Sequence, residues 1–400
     1  MRTPSPRPFA SLAAGAAVAL LLGGCSYIPW FGGDKDPHPP AELQEFTPSA
    51  ALNVLWQGEV SEGTAGQQVK LIPVVHEGRL YVADLEGRIE ALSARDGSVI
   101  WKRDTGLPFS GGPGLGEGLL LLGNSNGELA AFDSSDGTER WKVPLSSEIL
   151  SVPRIRSGLV IAYTLDGTVY ALNAKDGARV WDQRRPTPVL TLRGMSSPVI
   201  ADTGVIVGFS DGRLAKLDLG NGVPLWELTV TPPIGRTELE RVVDIDADPV
   251  LLGSTLYVVT FQGDLAAVNE PSGTVVWRQP LSSHAGLAVD SRYIYVTDAK
   301  DHVWAVDTAT GGSVWKQDQF TYRLLTAPAV LGDTLLVGDL EGYVHLLSAE
   351  DGSVLARKRI TKARISQQPQ VADGVAYVYA DDGTLAALTV GGAPSPAEKK

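Results

Sequence analysis

Apolar residues in this chain come in short runs divided by turn residues, and the runs recur in groups of four. In one group Leu71–Val75, Leu80–Ala83, Ile89–Leu92 and Val99–Trp101 are apolar, with Glu77-Gly78, Glu86-Gly87 and Asp96-Gly97 between them. Runs of this length predict strands. Acidic-Gly pairs between them predict tight hairpins, because glycine accepts the positive φ that such turns require. A proline lies in the first run, where a missing ladder donor suits a strand start or an edge. Each group therefore predicts one small antiparallel sheet.

The groups share a frame in which a proline, a glycine and a tryptophan follow one another at steps of fourteen residues. Its copies are Pro73/Gly87/Trp101, Pro113/Gly127/Trp141, Pro153/Gly167/Trp181, Pro198/Gly212/Trp226 and Pro249/Gly263/Trp277. A sixth copy is degenerate, with Leu287 and Asp301 before Trp315, and a seventh carries Ala356 at the tryptophan place. An eighth starts at Pro369/Gly383 and has no tryptophan. A second glycine stands four residues before each tryptophan place, from Gly97 to Gly352. A repeat of about 40 residues that reads as four strands is a propeller blade. The tryptophans are the expected plugs between blades, each removing roughly 150–250 Å² from water. Ala356 predicts a weaker seam.

Asn53–Val60 carries Trp56 at an outer-strand place with no inner strands before it, while the last copy has inner strands and no outer one. Pairing the two closes the ring. The expected fold is all-β: an eight-bladed propeller of four-stranded antiparallel blades, closed by an N-terminal strand. It spans 52–390. Residues 25–51, rich in proline, read as a flexible tether, and 391–400 as a disordered tail.

Within each copy the spacing never slips. The two long gaps are consecutive, from Trp181 to Pro198 and from Trp226 to Pro249. Both join an outer strand to the next inner strand, on the face that carries Gly87 and its equivalents. Neighbouring insertions on one face are where a propeller places a binding surface. The first holds Val189, Leu190, Leu192 and Met195, which are either a docking patch or side chains tucked into a blade. The second holds Asp244, Asp246 and Asp248 at period two, either a recognition site or a solvated acidic rim.

Composition removes several function classes. A formal net charge of −12 argues against nucleic acid and against a basic membrane patch. Arg2 and Arg7, followed by apolar Leu12–Leu22, form a secretion signal over 1–24 that is too short to span a bilayer. It ends in Leu22-Gly23-Gly24-Cys25, which resembles a bacterial lipobox. Cys25 is the sole cysteine, so disulfides are excluded and lipidation is its expected role; a plain signal peptide with an incidental cysteine is the alternative. Tyr27, Ile28, Trp30 and Phe31 suit either the membrane interface or packing on the propeller.

Catalytic and metal motifs do not emerge. Asp244-x-Asp246-x-Asp248 fails as a calcium loop, with Pro249 at the sixth place and Thr255 at the twelfth. The histidines His38, His76, His284, His302 and His345 lack zinc spacing and are expected at the surface or in turns. Carboxylates such as Asp84, Glu86, Asp339 and Glu341 recur blade by blade, which argues for turn chemistry.

The repeat, with Ala171-Leu172 and Lys175-Asp176-Gly177, resembles that of the pyrroloquinoline-quinone dehydrogenase propellers. With the lipobox, PVLTLRG at 188–194, TELERVVDIDADP at 237–249 and RLLTAPAVL at 323–331, the chain resembles the BamB family. These are lipoprotein propellers of the outer-membrane β-barrel assembly machinery. The resemblance covers the mature chain and implies a non-enzymatic scaffold with no cofactor or metal. It implies anchoring to the outer membrane, binding to BamA through its periplasmic POTRA domains, and service to unfolded outer-membrane protein clients. The contacting residues it implies are Leu190, Leu192, Arg193, Asp244 and Asp246. Two other readings stay open: a quinoprotein dehydrogenase and a glycan-binding or adhesin propeller.

Overall fold

The computed structural model describes residues 37–392, so the signal segment, Cys25, the aromatics at 27–31 and nearly all of the tail lie outside the described residues. Eight sheets follow one another around a ring. Blade 3 shows the plan: Arg154–Arg156, Leu159–Tyr163, Thr168–Asn173 and Arg179–Arg184 pair antiparallel in that order. Its second and third strands are apolar without alternation, and Val160–Tyr163 and Val169–Leu172 are buried on both sides. A strand sandwiched between two neighbouring sheets has no wet face. The outer strand alternates instead, with Trp181 buried between exposed Val180 and Asp182.

Blade 8 is shared as expected. Gln370–Ala372, Val375–Tyr379 and Thr384–Gly391 supply three strands, and Ala51–Glu59 adds the fourth, with Ala51 opposite Gly391 and Glu59 opposite Thr384. The third of these runs one residue past the expected edge of the propeller. Blade 2 departs from four strands. The run at Leu71–Val75 is divided at Pro73, which has no N–H to give. Lys70–Leu71 pairs in parallel with Gly111 and Gly112 of blade 2, and Val74–His76 stays in blade 1.

The tryptophan and the second glycine of the frame are two halves of one joint. Trp141 gives its Nε1–H to Ala174 O in the next blade at 2.8 Å, and Trp181 does the same to Leu219 O at 2.9 Å. Beneath the Trp141 ring sits Gly177, with φ +72°; a Cβ there would lie 2.8 Å from Trp141 Cε3. Glycine is thus required twice, for its positive φ and for the room. Gly177→Ala is expected to cost about 1–3 kcal/mol, the range for an overpacked contact. Urea unfolding should show a lower midpoint with an unchanged slope.

Two expectations are corrected. The place of Ala356 is filled by the segment that leads into the ring-closing strand: Ala50 and Leu52 pack with Ala356 and Ile360 in one buried cluster. Blade 8 has no outer hairpin, hence no glycine to receive a tryptophan, and the small side chain leaves space for the incoming strand. The stretch 41–50 is accordingly a strap along blade 7. Ala41 N donates to Thr321 O and Ser49 N to Leu355 O. Phe46 lies 5.1 Å from the Arg357 guanidinium. His345 was expected near the surface and is fully buried instead, bonded to Asp339 Oδ2 at 3.0 Å.

Candidate functional site

The face that carries the insertions is built by a recurring bond. The chain leaving each outer strand donates back to the turn between the second and third strands: Arg185 N to Gly167 O at 3.0 Å, and Val230 N to Gly212 O at 2.9 Å. Both insertions start from such a pinned point and flank blade 4. Between pinned ends they are irregular, apart from one 3-10 turn at Leu239–Arg241. That turn is closed by Thr237 Oγ1, which accepts from Glu240 N at 3.2 Å, while Glu240 Oε2 accepts from Arg236 N at 2.6 Å. The pattern Thr237-x-x-Glu240 is a capping-box signature, a sequence signal that the reading of the insertions did not use.

The insertions meet. Asp244 is fully buried, and its Oδ2 accepts the backbone N–H of Leu192. Asp246 lies against Gly194, where a Cβ would come 2.9 Å from its Cγ. Asp248 Oδ1 accepts from Ser197 N and from Lys70 Nζ, each at 2.5 Å, and Lys70 Nζ also reaches Met195 O at 2.9 Å. Lys70 belongs to the ring-closing connection after Glu59. From Trp56 to Pro73 that connection is as long as the first insertion, and its part in this face was not read from the gap lengths. Asp244 and Asp248 are therefore no loose rim; they tie the two loops together.

Leu190 is 47 % exposed, Leu192 is half-buried, and Arg193 is exposed. Arg193 pairs with Glu148 at 2.7 Å and not with Asp244 or Asp246. Glu148 carries no sequence signal, since it comes from the connection between blades 2 and 3. Val189 and Leu190 of the first insertion and Ile234 and Leu239 of the second are exposed. Ile234 and Leu239 are apolar positions that the acidic pattern of the second insertion obscured.

The base is electrostatically tense. Burial, then the neighbouring Asp246 charge, pushes the Asp244 carboxyl up to about 7, and its Oδ1 has no hydrogen-bond partner among the described residues. Burial raises Asp246 to about 6, against the pull of Lys70. A carboxyl raised above its unfolded value contributes stability at low pH that is lost as pH rises through the folded value. Asp244→Asn should therefore melt higher than the parent at about pH 8 and lose that advantage at about pH 6. Thermal melts at the two pH values check the sign. Among the described residues no group of three or more His, Cys, Asp or Glu is placed to hold a metal ion.

Fold and site define a β-propeller that presents a braced loop surface at one end. The family model described as outer membrane protein assembly factor BamB matches residues 51–105, 85–317 and 306–392. The chain is 48 % identical over 374 residues to outer membrane protein assembly factor BamB of Pseudomonas aeruginosa, covering 94 % of this chain and 97 % of that one. It is 50 % identical over 373 residues to BamB of Alkalilimnicola ehrlichii, covering 93 % and 95 %. The crystal structure of BamB from Moraxella catarrhalis superposes with a TM-score of 0.78 at 27 % identity, over 85 % of this chain and 100 % of that one. The chain belongs to the BamB family of outer membrane protein assembly factors.

Proposed function

We propose that this protein is a non-enzymatic scaffold lipoprotein of the outer-membrane β-barrel assembly complex. It docks BamA, through the periplasmic POTRA domains, on the insertion face, and so assists folding and insertion of outer-membrane proteins. The observation that carries the reading is the meeting of the two insertions. Buried Asp244 fixes the backbone of Leu192, in loops that also expose Val189, Leu190, Ile234 and Leu239. A shaped, partly apolar surface with few charges at its centre is what concentrates binding energy in a small number of residues. Membership of a family named for outer-membrane assembly supports it. Affinity isolation from solubilised outer membrane tests it: co-purifying barrel-assembly subunits support the scaffold, and a bound quinone with no such subunits overturns it.

The anchor in this reading is Cys25, carrying diacylglycerol on its sulfur and holding the protein on the periplasmic face of the outer membrane. Cys25→Ala should leave a folded propeller that fractionates with soluble periplasm. Labelling by radioactive palmitate that persists in the variant contradicts this assignment.

A further inference from the structure

The centre of the ring is a funnel of about 490 Å³, walled by the connections of the insertion face. Its cations differ in how they are used. Lys70 is bonded to Asp248 and Met195, and Arg193 to Glu148. Arg364, which enters from the connection between blades 7 and 8, has its Nε buried with no hydrogen-bond partner and forms no ion pair among the described residues. A buried guanidinium N–H without an acceptor is costly, and a carboxylate is its best-matched partner. The carboxylates in the same wall are committed elsewhere or lie apart. Asp381 accepts from Thr64 Oγ1 at 2.9 Å and Ser366 Oγ at 2.5 Å, Asp248 holds Lys70, and Asp246 sits against Gly194.

A second observation comes from the degenerate sixth repeat. Blade 6 has Leu287 where other blades have proline and Asp301 where they have glycine, and both departures serve the funnel. Asp301 keeps the glycine backbone, with φ +64°. Its carboxylate accepts Leu324 N on Oδ2 and Leu325 N on Oδ1, each at 2.9 Å. This clamp holds Leu324 in the left-handed region at φ +51°. A bulky side chain in that conformation is strained, and such strain gathers at ligand sites. The outcome is a leucine that lines the funnel while remaining 45 % exposed. Leu287 and Leu325 line the wall beside it.

We propose that the funnel is a binding site for a carboxylate with an aliphatic stem, its charge held by Arg364 and its stem by Leu324 and Leu287, with Asp301 as the positioning residue. His284 lines the same funnel and reports on it. Burial pulls the imidazole below its ordinary value, Asp301 pulls it up, and the Arg364 charge pushes it down again. A carboxylate seated on Arg364 cancels that push.

N-acetyl-leucine and N-acetyl-leucinamide are the probes, with the full mature chain and nuclear magnetic resonance of the His284 ring, assigned by His284→Gln. The acid should bind at least about tenfold more tightly than the amide, as expected for one charge-assisted contact, and should raise the His284 midpoint. Arg364→Met should lose that preference. Asp301→Gly restores the repeat glycine at a positive φ that glycine tolerates, so the blade should fold while acid binding weakens. An acetylated pentapeptide ending in leucine, as acid and amide, separates the sources: preference for the peptide acid assigns the carboxylate to a chain end, and preference for N-acetyl-leucine assigns it to a small free acid. Equal binding of acid and amide overturns the site. So does an Arg364→Met protein that binds as the parent does, or a His284 midpoint unmoved by the acid up to its solubility.

Discussion

Asp339→Ala is expected to cost about 3–5 kcal/mol, because it removes the buried counter-ion of a buried cation and leaves Arg323 only the half-exposed Glu341. Arg323 gives Nε and Nη2 to Asp339 Oδ2 at 2.9 and 2.8 Å, and Nη2 also reaches Glu341. Asp339 Oδ1 meanwhile accepts from Glu341 N at 2.9 Å and Tyr343 N at 3.0 Å, closing the turn of blade 7. One substitution thus removes a counter-ion and a turn cap together. The same cluster holds the strap: Arg323 Nη1 donates to Ala41 O at 2.9 Å, and Arg357 Nη1 to Gln44 O at 3.2 Å.

The cluster also fixes a pH dependence. Burial pulls the His345 imidazole below its ordinary value of 6.5, against the pull of Asp339. Neutral, its Nδ1 accepts from Arg357 Nε at 3.2 Å. Burial would raise Asp339, but its bonds from His345 and Arg323 outweigh that and hold it below 3.8. Both folded values are depressed, so the unfolded chain takes up protons first. Stability is complete above the unfolded values and drains with acid, from about pH 6.5 for the histidine and at lower pH for the aspartate. Asp244 and Asp246, raised by burial, change stability in the opposite sense over the same range, so the histidine's share is read as a difference. Urea unfolding at about pH 7.5 and 5.5 should show the parent losing stability relative to His345→Gln as pH falls. A parent and a His345→Gln protein with the same pH dependence contradict the assignment.

Leu192→Ala, Arg193→Ala and Asp246→Ala are each expected to weaken capture of BamA by about thirtyfold, the equivalent of roughly 2 kcal/mol at an interface centre, while the propeller melts almost unchanged. Half-buried Leu192 supplies anchor area. Arg193, steadied by Glu148, presents a forked donor. Asp246 accepts no hydrogen bond among the described residues and feels Lys70 only through space, so a basic residue of BamA would relieve it. Asp244 acts differently: being buried, it shapes the loop through Leu192. Trp181→Ala is the contrast, expected to lower stability first, by about 3–5 kcal/mol. Melts and co-purification on the same variants decide. Full BamA capture by the Arg193 and Asp246 variants, or loss only in step with unfolding, shows that the surface lies elsewhere.

What could be read in advance was what is periodic. The Pro/Gly/Trp frame encodes contacts that every blade repeats, so eight blades and the closure through Trp56 were legible. The insertions stood out because they break that period, and gap length needs no side-chain geometry. Contacts made once were not legible. Glu148 meets Arg193 across blades, His345 is buried against Asp339, and the strap hides in a stretch whose prolines suggested a tether. The sixth repeat shows the same limit from the other side. Its irregularity was visible as Leu287 and Asp301, but its purpose appears only where Asp301 meets Leu324.

The course of the strap bears on how the molecule carries load. It enters beside Thr321 on the insertion face, runs to Leu355, then reverses into Ala51–Glu59, whose lower end opposite Gly391 is the first part of the ring-closing strand. Under the proposed anchoring at Cys25, a pull from the membrane reaches Ala41 first and must peel ten residues away before it loads that strand. The strand would then be stressed along its length, with its ladder of bonds sharing the force. Under that anchoring the strap would work as a cable clamp, with a pull met first at the bonds from Arg323 and Arg357 before it loads the ring-closing strand.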